Sequence, residues 1–236
     1  MTIVLMAAQP CRSALHLAVK PRNTLLKESQ SGPVPRRRVD PQAVFLNLPY
    51  DREFESLYLA YIVGLSALRL VPRVTLGIPG GERRLDRIFD LVRSCRYSIH
   101  DLSRVELDLH RPFTPRFNMP FELGLAVAWA KLNRASHTWF VCETKSRRAL
   151  KSLSDLNGTD LQIHGGTAPG VMRELCSAFV RVRRQPSVPE MMEVYRALKR
   201  GLPEIQARAG AASLFEPRVF AEVSFAAATL CRRLLG

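Results

Sequence analysis

Residues 43–68 read AVFLNLPYDREFESLYLAYIVGLSAL, and a change of period inside this stretch decides the fold. Residues 43–48 are a short apolar run, closed by Pro49-Tyr50-Asp51, and read as a buried strand. From Phe54 the spacing becomes helical: Leu57, Tyr58, Tyr61, Ile62, Leu65 and Leu68 form one wide apolar stripe. Working outward, the same alternation recurs. Residues 71–78 are a second strand, ended by Pro79-Gly80-Gly81, and Leu85, Ile88, Phe89 and Val92 mark the next helix. Residues 97–103 are a third strand, 138–142 a fourth and 161–164 a fifth. Helices are expected after Pro115, over 146–154, and from Gly165-Gly166-Thr167 to about Val182. Strands alternating with helices predict a parallel sheet covered on both faces. Five of them predict a flavodoxin-like three-layer sandwich, with ligands beyond the carboxyl ends of the strands near a switch in strand order. Pro49-Tyr50-Asp51, Asp101-Leu102-Ser103 and the loop before Glu122 fall along that edge.

The flanks differ from this central domain, 41–182. Residues 1–40 end in a stretch rich in Ser, Gly, Pro and Arg without periodicity, which predicts a disordered basic tail. The apolar residues 2–8 have no basic segment before them, so no signal peptide is expected. After Gln185-Pro186, Met191, Val194, Tyr195 and Leu198 fit one helix and residues 214–235 another. Residues 183–236 are thus expected to be a helical appendix, packed on the sheet domain or offered to a second copy or a regulatory partner.

With 236 residues, 47% of them hydrophobic, the chain can bury a substantial core. No apolar run approaches the roughly 18 to 20 residues of a membrane span. The net charge of +14 is spread over tail, domain and appendix alike, and no aromatic–basic interleaving marks a stacking platform, so nucleic acid is not an expected partner. Five scattered cysteines and five scattered histidines suggest reduced thiols, a cytoplasmic chain and no metal site.

Residues 116–126, RFNMPFELGLA, carry the chemistry. Asn118 is a suitable N-cap and Pro120 suits a first helical turn. Gly124 and Ala126 thin the following turn, which would let another group approach closely. Glu122 is the only ionisable side chain between Arg116 and Lys131. An acid placed here to complement the helix dipole is one account of it; a reactive carboxylate is the other. The helix terminus would keep it ionised, and desolvation by Phe117, Met119 and Phe121 would oppose that.

Phe45 to Asp51, then Ser98-Ile99-His100-Asp101-Leu102-Ser103, then Asn118-x-x-x-Glu122-Leu123-Gly124, in this order, resemble the motifs of TIR-like NAD hydrolases and of nucleoside 2-deoxyribosyltransferases. The resemblance covers roughly residues 43–182. It implies an N-glycosidase acting on NAD or a related nucleotide, without a cofactor, in a bacterial stress or antiviral defence setting. It implies Glu122 as the catalytic carboxylate and Asp101 as a group orienting base or ribose, although Asp101 could equally cap a strand–loop turn. Tyr50, Asp51, Ser103, Arg116 and Asn118 would then contact ligand, Tyr50 by stacking. Deoxyribosyltransferases carry an acid six residues before the nucleophile; Arg116 stands there instead and suits a phosphate. A non-catalytic nucleotide sensor of the same fold is the alternative.

Overall fold

The computed structural model describes residues 38–76, 83–105, 111, 113–133, 136–182 and 184–236. Five strands, β1 (Asp40–Asn47), β2 (Val71–Arg73), β3 (Cys95–Asp101), β4 (Thr138–Glu143) and β5 (Gln162–Ile163), form one sheet in the order β2-β1-β3-β4-β5. Every neighbouring pair is parallel. This is the flavodoxin-like α/β sandwich that the alternation of periods predicts. Strand order reverses between β1 and β3, where Asn47 lies in register with His100.

Seven helices complete the described chain: α1 (Glu55–Ala67), α2 (Arg84–Ser94), α3 (Asn118–Leu132), α4 (Arg148–Ser152), α5 (Ala168–Ala178), α6 (Val188–Ala209) and α7 (Pro217–Leu234). β1 shows how the layers are built. Val44 and Leu46 enter the core beneath α1 and α5, while Ala43 and Phe45 meet Ile88, Leu91 and Val92 of α2 on the other face. Successive residues of a strand point to opposite faces. With both faces covered, the strand is an unbroken apolar run rather than an alternating one.

One expectation changes with the tertiary structure, and the choice left open for the C-terminal helices falls to packing on the sheet domain. The stripe on α1 understates its burial: residues 57–67 are all buried, because the sheet lies on one side and α5, α6 and α7 on the other. A Cβ added at Gly64 would come 2.5 Å from Cδ1 of Leu175, which shows how closely α5 approaches. The C-terminal helices are part of that core. Met191 and Leu198 of α6 and Val219 and Val223 of α7 belong to the same buried cluster as Val44 and Ile99. α6 opens on a capping box: the Ser187 hydroxyl accepts from the Glu190 N–H, and the Glu190 carboxylate accepts from the Ser187 N–H at 2.7 Å.

Boundaries shift less. β1 starts at Asp40, the last residue of the expected tail. Residues 1–37 and the end of the expected second strand, with its Pro-Gly-Gly turn, lie outside the described residues.

Candidate functional site

Glu122 occupies a core position. On α3 the buried residues are Met119, Glu122, Leu123 and Ala126, the spacing of a single helix face turned to the sheet. Three are apolar and the fourth is a carboxylate with 3% of its surface exposed. Among the described residues the one cation near it is Arg84, whose Nη2 is 3.8 Å from Oε1 and whose own side chain is half exposed. Burial raises the Glu122 carboxyl from 4.5 to about 7, with Arg84 pulling it back only in part.

The first turn of α3 differs from its expected form. Phe117 is the capping residue, no side chain caps the helix, and Asn118 is the first helical residue and exposed. Glu122 is then the fifth residue, beyond the free N–H groups of the terminus, and desolvation prevails over the dipole. Phe117 and Phe121 are 70% and 56% exposed and present their rings to solvent. Nothing lies within 4 Å of a Cβ built at Gly124, so the close approach expected there is absent among the described residues.

A chain of hydrogen bonds ties this helix to the switch point. The Asn47 carboxamide donates to the Met119 carbonyl at 3.2 Å and to Nδ1 of His100 at 3.0 Å. His100 Nδ1 is therefore an acceptor, and its Nε2–H donates to Ser98 Oγ at 3.0 Å. The Ser98 hydroxyl donates to Nε2 of His137 at 2.9 Å, and His137 Nδ1–H donates to the Cys95 carbonyl at 2.9 Å. Every donor meets an acceptor with both imidazoles neutral. Burial, then the neighbouring His137, lowers the His100 pKa to about 3, and burial lowers that of His137 too. Asn47 and His100 stood inside the quoted motifs, but nothing in the sequence showed that they meet.

Asp101 is wholly enclosed. Its Oδ2 accepts from the Tyr61 hydroxyl at 2.7 Å and from His164 Nε2 at 3.0 Å, and its Oδ1 accepts from the Ser103 N–H at 2.8 Å. Burial, and then the charge of Asp101, pushes the Tyr61 phenol well above its usual range. Ser103 Oγ lies 3.1 Å from the same His164 Nε2. Serine, histidine and aspartate are thus together, but not as a nucleophilic triad. The Gly166 N–H donates to His164 Nδ1 at 3.1 Å, which leaves the proton on Nε2, where a general base would need a lone pair. Glu143 is anchored similarly, accepting from the Thr144 N–H and from Arg148, whose guanidinium also reaches the Ser103 carbonyl at 2.7 Å.

Asp51 and Arg116 meet directly. Arg116 Nη1 donates to Asp51 Oδ2 at 2.9 Å, Arg104 Nε approaches the same oxygen at 3.4 Å, and Oδ1 caps the turn at Phe54. Tyr50 is engaged elsewhere: its ring packs against Tyr58 and Phe215, and its hydroxyl lies 3.3 Å from Thr75 Oγ1. Burial raises its pKa.

No group of three metal-ligating side chains occurs among the described residues, and no described helix is long and apolar enough to cross a membrane. The fold defines a class, the doubly wound parallel α/β proteins, with the strand order reversing between β1 and β3. Comparison of the chain with protein-family models, curated proteins and solved structures finds no match.

Proposed function

We propose that this protein is an N-glycosidase that cleaves the base–ribose bond of NAD or a related nucleotide, with Glu122 as the carboxylate facing the sugar. One observation carries the reading: Glu122 takes a core-facing position beside the switch point with only a half-exposed arginine near it. A charge so placed is costly. Such costs cluster where a group is kept for chemistry.

The chemistry favours a ligand of the NAD type. Its nicotinamide ring is cationic, so the C1′–N bond breaks with its electron pair going to the ring nitrogen and neutral base leaves without a general acid. One carboxylate then suffices. It stabilises the oxocarbenium ribose, and water adds to C1′ as its proton passes to Glu122. The enclosed Asp101 acts as a positioning residue that holds the Ser103 turn. Arg84, and Arg104 and Arg116 around Asp51, supply positive charge for phosphates. Exposed Phe117 and Phe121 are better placed than Tyr50 to stack on a base.

The sensor reading draws on the same observation. A carboxyl with a pKa of about 7 is half protonated at neutral pH and can hydrogen-bond ribose hydroxyls without cleaving anything. Incubation with NAD and a nucleoside panel, followed by chromatography of released base, separates the two. Release by wild type, lost by about three orders of magnitude or more in Glu122→Gln, is expected of the glycosidase. Nucleotide binding without release selects the sensor, and equal activity in Glu122→Gln would refute the site.

A further inference from the structure

At the opposite end of the sheet, a cavity of about 630 Å³ opens where the end of α1 and the start of β2 face the last turns of α7. Three exposed arginines, Arg69, Arg184 and Arg232, line it, and Leu70, Val71 and Leu235 give it apolar wall. Among the described residues, no aspartate or glutamate side chain lines it. Arg69 donates to the Gly236 main-chain oxygen at 3.2 Å and Arg232 to Thr229 Oγ1 at 3.0 Å. Unlike Arg104, Arg116 and Arg148 elsewhere, none of the three is paired with an acidic side chain among the described residues.

The backbone adds an independent observation. Only three described residues other than glycine have positive φ, and two of them, Arg69 at 60° and Arg184 at 53°, line this cavity. Arg69 closes α1, its N–H donating to the Ser66 carbonyl and that of Leu70 to the Leu65 carbonyl, so its left-handed backbone ends the helix; Arg184 closes no helix, and arginine in that conformation carries a cost. Such costs concentrate at ligand clamps.

We infer that this cavity is a second ligand site, for a phosphorylated small molecule whose di- or triphosphate meets Arg184 and Arg232 while an apolar portion rests on Leu70, Val71 and Leu235. Its volume suits a nucleotide-sized ligand. Bound there, the ligand bridges the α1–β2 junction and α7, and so fastens the C-terminal helix to the sheet domain. The site is separate from Glu122 and does not depend on the glycosidase reading.

The probes are ADP and inorganic pyrophosphate, titrated calorimetrically into the full chain at roughly physiological salt. Arg184→Gly, which keeps the left-handed backbone, is combined with Arg232→Ala, on an exposed face of α7; circular dichroism checks the fold. Arg173→Ala with Arg208→Ala, exposed arginines that do not line the cavity, is the control for loss of positive charge alone. Wild type is expected to bind both probes below about 100 µM, ADP more tightly. The Arg184/Arg232 pair should weaken binding at least about tenfold and remove the thermal stabilisation by ADP, whereas the control pair keeps both. Absence of binding, binding unchanged in the Arg184/Arg232 pair, or loss confined to the control pair would each overturn the inference.

Discussion

Replacing Glu122 by Gln tests the electrostatics of the site independently of any substrate. In the folded chain the carboxyl titrates near 7, and in the unfolded chain near 4.5. The folded state therefore holds an extra proton between these values, and stability falls as pH rises through that window. At about 1.4 kcal/mol per decade, the interval is worth about 3 kcal/mol above pH 7. With 3% of Glu122 exposed, solvent screening offsets little of it. A glutamine has the same shape and no charge. Glu122→Gln should match wild type within about 1 kcal/mol at pH 5 and exceed it by about 2 to 3 kcal/mol at pH 8.5. For a domain of this size that is a rise in Tm of roughly 5 to 10 °C. Denaturant melts of both proteins at four pH values measure it, and the difference between them cancels every other titrating group. Parallel pH profiles, or a variant less stable at pH 8.5, would show the anion to be well solvated or paired and would remove the basis for assigning it a chemical role.

If the protein cleaves NAD, kcat/KM should fall on the acid side with an apparent pKa of about 7, because the ionised carboxylate is the active form; a rise in rate on acidification would contradict this. Asn47→Leu strips the donor from both the Met119 carbonyl and His100 Nδ1 and should cost about 2 to 4 kcal/mol in urea melts; a loss under about 1 kcal/mol would mean that water replaces the amide. A Cβ at Gly170 would collide with the main-chain carbonyl of His164, so Gly170→Ala should destabilise by at least about 3 kcal/mol and disturb the His164–Asp101 contact. Gly124→Ala should instead gain about 0.5 to 1 kcal/mol, since a Cβ there meets nothing within 4 Å and the residue is inside a helix; a loss there would reveal a close neighbour.

The elements and their layering are legible in short stretches of the chain. A period of two or an unbroken apolar run against a period of 3.6 is a local property, legible in 43–68 and again in each later unit, and alternating strands and helices leave few topologies to choose from. The same local reading singled out Glu122, because a lone acid amid apolar residues stands out in any helix. Tertiary structure alone decided what that acid experiences. The helix starts at Asn118 without a side-chain cap, Glu122 faces the sheet, and Phe117 and Phe121 face solvent; facing is set by what packs opposite, which no window of sequence contains. The same holds for partners distant in the chain. Asp101 meets His164 across 63 residues because parallel strands bring their carboxyl ends to one edge, and it meets Tyr61 across 40, and Asn47 meets Met119 across 72, because α1 and α3 pack on the sheet beside that edge. All-round burial of α1 likewise depended on α6 and α7 folding back over it, a contact written in hydrophobic surface area and not in any motif.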